Sequence, residues 1–262
     1  MAESRIRHIA SGACSREKDM TKRRIERIGK SVILYDASLV SQISESLFDP
    51  DRYPGAPEAP GYAGGRGSTL FIQQADQDWV LRHYHRGGLM GRWLDDQFVW
   101  LGLKNSRPYR EYLLLEELAR RELPSPKPVA ARVLRRELIY SADLITLQIP
   151  DVLPLSTRLA SDGLTEGGWR DVGRLIGRFH NENIFHADLT AHNLQIDSED
   201  RLYLLDFDRG KVMAGPGSWS EANLQRLHRS LRKISLDGSV SFGAREWQAL
   251  TAGYSEIYSL PR

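Results

Sequence analysis

His186-Ala-Asp188-Leu-Thr-Ala-His-Asn193, followed downstream by Asp206-Phe-Asp208, constrains this chain more than any other feature. Between the two motifs run a short apolar stretch (Leu194-Gln-Ile196), a polar turn (Asp197-Ser-Glu-Asp200) and a second apolar stretch (Leu202 to Leu205). That order reads as a β-hairpin. A hairpin returns the chain to its starting point, so Asp188, Asn193 and Asp206 are predicted to face one site. Upstream, residues 168–181 place Trp169, Val172, Ile176 and Phe179 on one helical face, so a packed helix leads into the first motif. The expected fold gathers two carboxylates and an amide around one small volume; the alternative is an apolar hairpin with solvated acids.

The chemistry of the three groups is complementary. The Asp188 carboxylate can take or orient a hydroxyl proton, while Asn193 and Asp206 offer oxygen to a hard cation such as Mg²⁺. Phosphoryl transfer asks for little more than an aligned hydroxyl and cations that neutralise phosphate oxygens. Asp188 is therefore the candidate catalytic residue, and Asn193 and Asp206 are candidate metal ligands beside ATP. Each residue alone is equally compatible with a solvated turn; the ordered combination points to an enzyme. His186 is expected to brace the loop backbone and not to transfer a proton.

The first half of the chain supplies a phosphate-binding frame. A Pro/Gly-rich loop from Asp49 to Gly61 leads to Gly64-Gly65-Arg66-Gly67, then an apolar run from Leu70. Gly65 and Gly67 would let backbone approach phosphates closely. The strand Trp79 to Tyr84 carries Arg82 where a kinase usually has lysine. Helix signals begin at Ser106 with Pro108 in the first turn. On that helix Glu111 shares a face with Leu114, Leu115 and Leu118, and an inward carboxylate needs a cation, for which Arg82 is the candidate. Glu116 and Glu117 lie off that face and are expected in solvent. Strands are predicted at Val129 to Leu134, Leu138 to Tyr140 and Leu144 to Ile149, with a hinge near Gln148 to Asp151 where adenine would be held. Another helix is predicted to begin at Leu155. The expected architecture is α+β: a two-lobed, protein-kinase-like fold with a small β-rich N-lobe (31–149) and a short, mostly helical C-lobe (150–262).

Residues 1–30 carry nine Lys or Arg against four acids and few apolar residues. They are expected to form a disordered basic tail, whether translation starts at Met1 or at Met20. Over the whole chain the net charge is only +2, which argues against non-specific nucleic-acid binding. One cysteine, Cys14, excludes an internal disulfide framework and suits a reducing cytoplasm. No apolar run approaches the roughly 20 residues of a membrane-spanning helix, and no signal peptide is evident.

Several segments together resemble the bacterial 3-deoxy-D-manno-octulosonic acid (Kdo) kinases of the lipopolysaccharide core kinase family. These are Gly65-Arg-Gly-Ser-Thr69, Leu81 to Leu89, Ser106 to Leu115, Pro126 to Arg132, Tyr140-Ser-Ala-Asp143, His186 to Asn193, Leu205 to Asp208 and Asn223 to Ser230. The resemblance covers roughly residues 32 to 255. It implies ATP-dependent phosphorylation of the 4-hydroxyl of a Kdo sugar on a lipid A precursor, at the cytoplasmic face of the inner membrane. It further implies Asp188 as catalytic carboxylate, Asn193 and Asp206 as Mg²⁺ ligands, and Arg82 with Glu111 as the ATP-positioning pair. Only 56 residues follow Asp206 and no Ala-Pro-Glu element is present, which disfavours a peptide acceptor. Asp208 stands where related kinases have the Gly of Asp-Phe-Gly, which argues against activation by flipping of that loop.

Cations and large apolar residues alternate from Arg82 to Arg107. Arg86, Arg92 and Arg107 are candidates for meeting anions of the acceptor or of an anionic membrane surface, with Trp93, Phe98 and Trp100 dipping into the interface. No obligate protein partner is implied. Two other readings stand beside a Kdo kinase: a kinase-fold phosphotransferase acting on a core heptose or other small alcohol, and a non-catalytic nucleotide-binding or scaffold protein.

Overall fold

The computed structural model describes residues 23–60, 68–74, 76–85, 97–236, 238 and 240–258. The N-terminal lobe is an antiparallel sheet of eight strands among these residues: β1 (Arg23–Ile28), β2 (Ser31–Asp36), β3 (Glu58–Pro60), β4 (Ser68–Ile72), β5 (Trp79–His83), β6 (Phe98–Val99), β7 (Pro128–Arg136) and β8 (Ile139–Leu147). They lie in the order β1-β2-β7-β8-β5-β4-β3, with β6 pairing on β8. Helix α1 (Arg107–Arg120) covers one face. Side chains alternate along the strands as the pleat requires. Leu34, Ala131, Val133, Ala142 and Leu144 join Tyr112, Leu115 and Leu118 of α1 in one core. Ile33, Tyr35, Leu81, Val129 and Ile145 face the opposite way, under Val40, Leu47 and Phe48 of the segment after β2.

Three expectations change here. The basic tail was predicted to run to residue 30, yet Arg23 to Ile28 form an edge strand in register with β2, Arg23 opposite Asp36. Its Arg-Arg-Ile-Glu-Arg-Ile sequence lacks apolar alternation because it is a mostly exposed edge, where charge discourages pairing with another chain. Glu116, expected in solvent, accepts from Arg23 of that strand. The predicted strands Leu138 to Tyr140 and Leu144 to Ile149 are one strand, β8; buried Asp143 sits within it because Arg132 (2.8 Å) and His83 (2.7 Å) pair with it. Residues 1–22 of the predicted tail lie outside the described residues.

After β8 the chain crosses through residues 148–152 into β9 (Leu153–Pro154) and the helical lobe: α2 (Leu155–Ser161), α3 (Glu166–Asn181), α4 (Ser218–Ser235) and α5 (Ala244–Ile257). The predicted hairpin is present as β11 (Leu194–Ile196) and β12 (Leu202–Leu204), with β9 on its far side. β10 (Ile184–Phe185), paired with β13 (Lys211–Val212), delivers the chain from α3 into the first motif. Helices α3 and α5 cross at near-backbone contact. A Cβ on Gly173 would overlap the Leu250 carbonyl, and one on Gly253 would overlap that of Arg170. Trp169, Val172, Ile176 and Phe179 are buried on α3, as the helical spacing predicts.

Candidate active site

The segment His186 to Asn193 has no regular structure and is held by side chains. His186 donates from Nε2 to the Leu205 carbonyl (2.9 Å), which leaves Nδ1 unprotonated to accept the Asp188 N–H (3.1 Å). Burial pushes the imidazole below its ordinary pKa, so it stays neutral in that tautomer. Asn223 on α4 accepts the His186 N–H (3.1 Å) and returns a bond to its carbonyl (2.9 Å). Asn193 donates through Nδ2 to the Asp188 backbone carbonyl (2.8 Å), and its backbone carbonyl takes the Leu205 N–H (2.9 Å). Two residues thus tie the backbone of Asp188 to that of Leu205, which directly precedes Asp206. The hairpin thus brings the backbone at Asp188, Asn193 and Asp206 together, and His186 braces the loop as expected.

Asp206 has a left-handed backbone, φ 60°, a conformation Asp tolerates better than most residues and one often found at functional sites. Phe207 after it is buried, stacked on Phe179 of α3 (5.7 Å between centroids) and edge-on to His186 (4.9 Å). Arg82 reaches across from β5, donating to Asp206 Oδ1 and to Glu111 Oε1, each at 2.5 Å. Burial pushes the Asp206 carboxyl up, but Arg82 outweighs it and the pKa lies below the ordinary value. Glu111 is almost wholly buried, and there desolvation outweighs Arg82 and raises its pKa.

One neighbour was missed and a second was assigned a different partner. Tyr84 donates to Glu111 Oε2, and its ring lies under the Arg82 guanidinium (4.8 Å). Its signal is period two, since residues 82 and 84 share a face of the strand. Arg107, at the start of α1, forms a two-pronged ion pair with Asp208 and stacks over Phe98 (4.7 Å). It was predicted to meet acceptor anions; the structure gives it to the Asp-Phe-Asp motif instead, because Asp208 projects a carboxylate where a glycine would leave space. Phe98 and Trp100, predicted to dip into a membrane, pack against Tyr140 at 5.4 and 6.0 Å and edge the core.

Gly65 and Gly67 lie outside the described residues, as do Arg86, Arg92 and Trp93. The strands on either side of the glycines pair with Pro60 opposite Ser68. Gln148 follows β8 at the crossing between lobes; its N–H is bonded to the Asp78 carbonyl (2.8 Å) and is not a free donor for adenine.

A divalent ion fits the residues present. Oδ1 of Asn193 is buried and has no hydrogen-bond partner among the described residues, an arrangement that costs about 1–3 kcal/mol unless a cation or donor fills it. Asp206, one residue after the Leu205 N–H that bonds the Asn193 backbone, supplies a carboxylate from the same knot. Among the described residues no group of three or more His, Cys, Asp and Glu surrounds a point. An ion held here would complete its shell with phosphate oxygens and water, as Mg²⁺ usually does.

Residues 58–254 match the model of the Lipopolysaccharide kinase (Kdo/WaaP) family. A protein of Vibrio parahaemolyticus named 3-deoxy-D-manno-octulosonic acid kinase is 34% identical over 229 residues, 87% of this chain and 96% of that protein. Proteins of the same name in Stenotrophomonas maltophilia and Xanthomonas campestris pv. campestris are 38% and 40% identical, over 88% and 79% of this chain and 92% and 82% of theirs. Among solved structures, the bifunctional kinase-methyltransferase WbdD superposes with a TM-score of 0.43 at 15% identity, covering 80% of this chain and 47% of that one.

Proposed function

Because the chain belongs to the lipopolysaccharide kinase (Kdo/WaaP) family, we propose that it transfers the γ-phosphate of ATP to the 4-hydroxyl of a Kdo sugar on a lipid A precursor. The observation that carries this reading is the hydrogen-bonded knot that ties the backbone of Asp188 and Asn193 to the residue before Asp206, leaves Oδ1 of Asn193 unpartnered among the described residues, and sets Asp206 on the Arg82–Glu111 pair. The relatives' shared name supplies the acceptor. A core heptose acceptor is disfavoured by the same agreement.

Asp188 would accept the proton of the attacking hydroxyl. Its place is fixed by His186 and Asn193, so little reorganisation is needed when substrate arrives. Asn193 and Asp206 would hold Mg²⁺, which neutralises charge on the phosphates when bound. Arg82, kept in place by Glu111, would meet ATP phosphates with the part of its fork that now rests on Asp206. Buried Phe207, stacked between α3 and His186, keeps Asp206 at its station.

The acceptor is a lipid, so the enzyme would work at an anionic membrane surface on the cytoplasmic side. No helix among the described residues is long and apolar enough to cross a membrane. Incubation with Mg²⁺-ATP and Kdo-lipid A precursor should add one phosphate to the lipid by mass. Transfer to a heptose-bearing acceptor but not to this one would overturn the assignment.

A further inference from the structure

Helix α4 touches the catalytic segment at three points spaced along one side. Asn223 holds the His186 backbone and Ser230 accepts the Ala191 N–H at 3.1 Å; both serve as framework. Between them, Arg226 donates from Nη1 to Oδ1 of Asp188 at 2.7 Å. This contact differs in kind, because it falls on the carboxylate that must receive the hydroxyl proton. Both side chains are near half exposed, 46% and 45%. An exposed ion pair of this sort contributes at most about 1 kcal/mol and exchanges partners readily.

While Arg226 occupies Oδ1, that oxygen directs a lone pair at a guanidinium and not at an incoming hydroxyl. Drawing the arginine away would open that oxygen to the hydroxyl and leave the carboxylate a stronger base. The acceptor of the proposed reaction is a sugar acid, so it brings a carboxylate to the same few ångströms as its hydroxyl. A guanidinium fork matches a carboxylate with two parallel bonds. Arg229 and Lys233, one and two turns further along α4, are exposed and form no ion pair among the described residues. They continue the positive strip away from Asp188, where further anionic groups of the acceptor would lie.

We propose that Arg226 is the binding residue for the acceptor's carboxylate, and that its transfer from Asp188 to the substrate readies the base. This rests on the Kdo assignment above. With Oδ1 released, the acceptor hydroxyl oxygen bonds to the γ-phosphorus and its proton passes to Asp188. The bond from phosphorus to the bridging oxygen breaks, and ADP leaves. The acceptor's own carboxylate is unchanged by the reaction. An apo enzyme therefore carries Oδ1 of its base engaged, and an acceptor bearing an acid group draws the arginine onto itself.

The test crosses two changes: Arg226→Gln in the enzyme, and methyl esterification of the Kdo carboxylate in the lipid acceptor. With the wild type, esterification should raise KM for acceptor by about ten- to a hundredfold, as loss of a charged hydrogen bond does. Arg226→Gln should raise KM for the free acid by a similar factor and gain no further penalty on the ester. Arg226→Lys should recover part of the loss on the acid only. Penalties that multiply would show the carboxylate binds elsewhere and overturn the proposal. So would a kcat reduced equally on acid and ester with KM unmoved, which marks an arginine that only orients Asp188. A wild type silent on both acceptors would instead remove the Kdo assignment, and the proposal with it.

Discussion

At the scale of single residues, the site turns on Arg82. One guanidinium bridges a wholly buried carboxylate and a metal-ligand candidate on opposite lobes, and Tyr84 braces both it and Glu111. A lysine has one point charge and cannot reproduce that fork. Arg82→Lys is expected to weaken nucleotide binding by about tenfold and to lower the melting temperature, since Glu111 keeps only part of its compensation. Isothermal titration and a thermal melt would check both; unchanged values would show that the bridge carries no energy. The Arg82–Glu111 pair was legible because a carboxylate on an apolar helical face advertises a missing cation. Arg107–Asp208 was not, because no local pattern says that residues 101 positions apart in the chain will meet. The roles of Asn223, Arg226 and Ser230 left a weak trace, polar residues three and four apart on α4, which only the catalytic segment's position gives meaning.

At the scale of elements, the helical lobe is set by the α3–α5 crossing. Gly173→Ala places a methyl into the Leu250 carbonyl, and overpacking of that kind should destabilise by about 2 kcal/mol or more, read from a urea titration. A loss under about 0.5 kcal/mol would mean that the helices separate freely. On the same helix, His180 hydrogen-bonds Tyr254 (2.8 Å), and burial presses its pKa down to about 4. The folded state keeps this imidazole neutral while the unfolded chain protonates near its ordinary 6.5. Stability from this group is thus complete above about pH 6.5 and falls as pH drops towards 4, by up to about 3 kcal/mol. Buried His186 acts in the same direction. His180→Gln should flatten the dependence across that window; an identical slope would contradict the assignment. Helix positions were legible from apolar spacing, whereas edge strand β1 was hidden by its charge. The merged strand β8 was hidden by Asp143, whose partners lie on two other strands.

At the scale of the whole molecule, the two-lobed kinase-like fold has its lobes joined through the site itself, by Arg82–Asp206 and Arg107–Asp208. With Asp208 tied to the first residue of α1, the Asp-Phe-Asp segment and the helix carrying Glu111 are held together before substrate binds. Phe98 and Trp100, expected at a membrane, edge the core instead, and on the proposed membrane reading contact would fall to their exposed neighbours. Val99, Leu101 and Leu138 are 61%, 72% and 79% exposed on the β6–β8 edge, which also bears exposed Lys104 and Arg136. Leu101→Ser with Leu138→Ser should reduce sedimentation with anionic vesicles while leaving ATP binding intact. Equal sedimentation would place the membrane contact elsewhere.

The most direct measurement is single-turnover phosphoryl transfer to Kdo-lipid A precursor by Asp188→Asn, with ATP affinity determined on the same preparation. If Asp188 is the base held between Asn193 and Asp206, transfer should slow by about 10²- to 10⁴-fold while ATP affinity changes by less than about twofold. Transfer within a few-fold of the wild type would contradict the account.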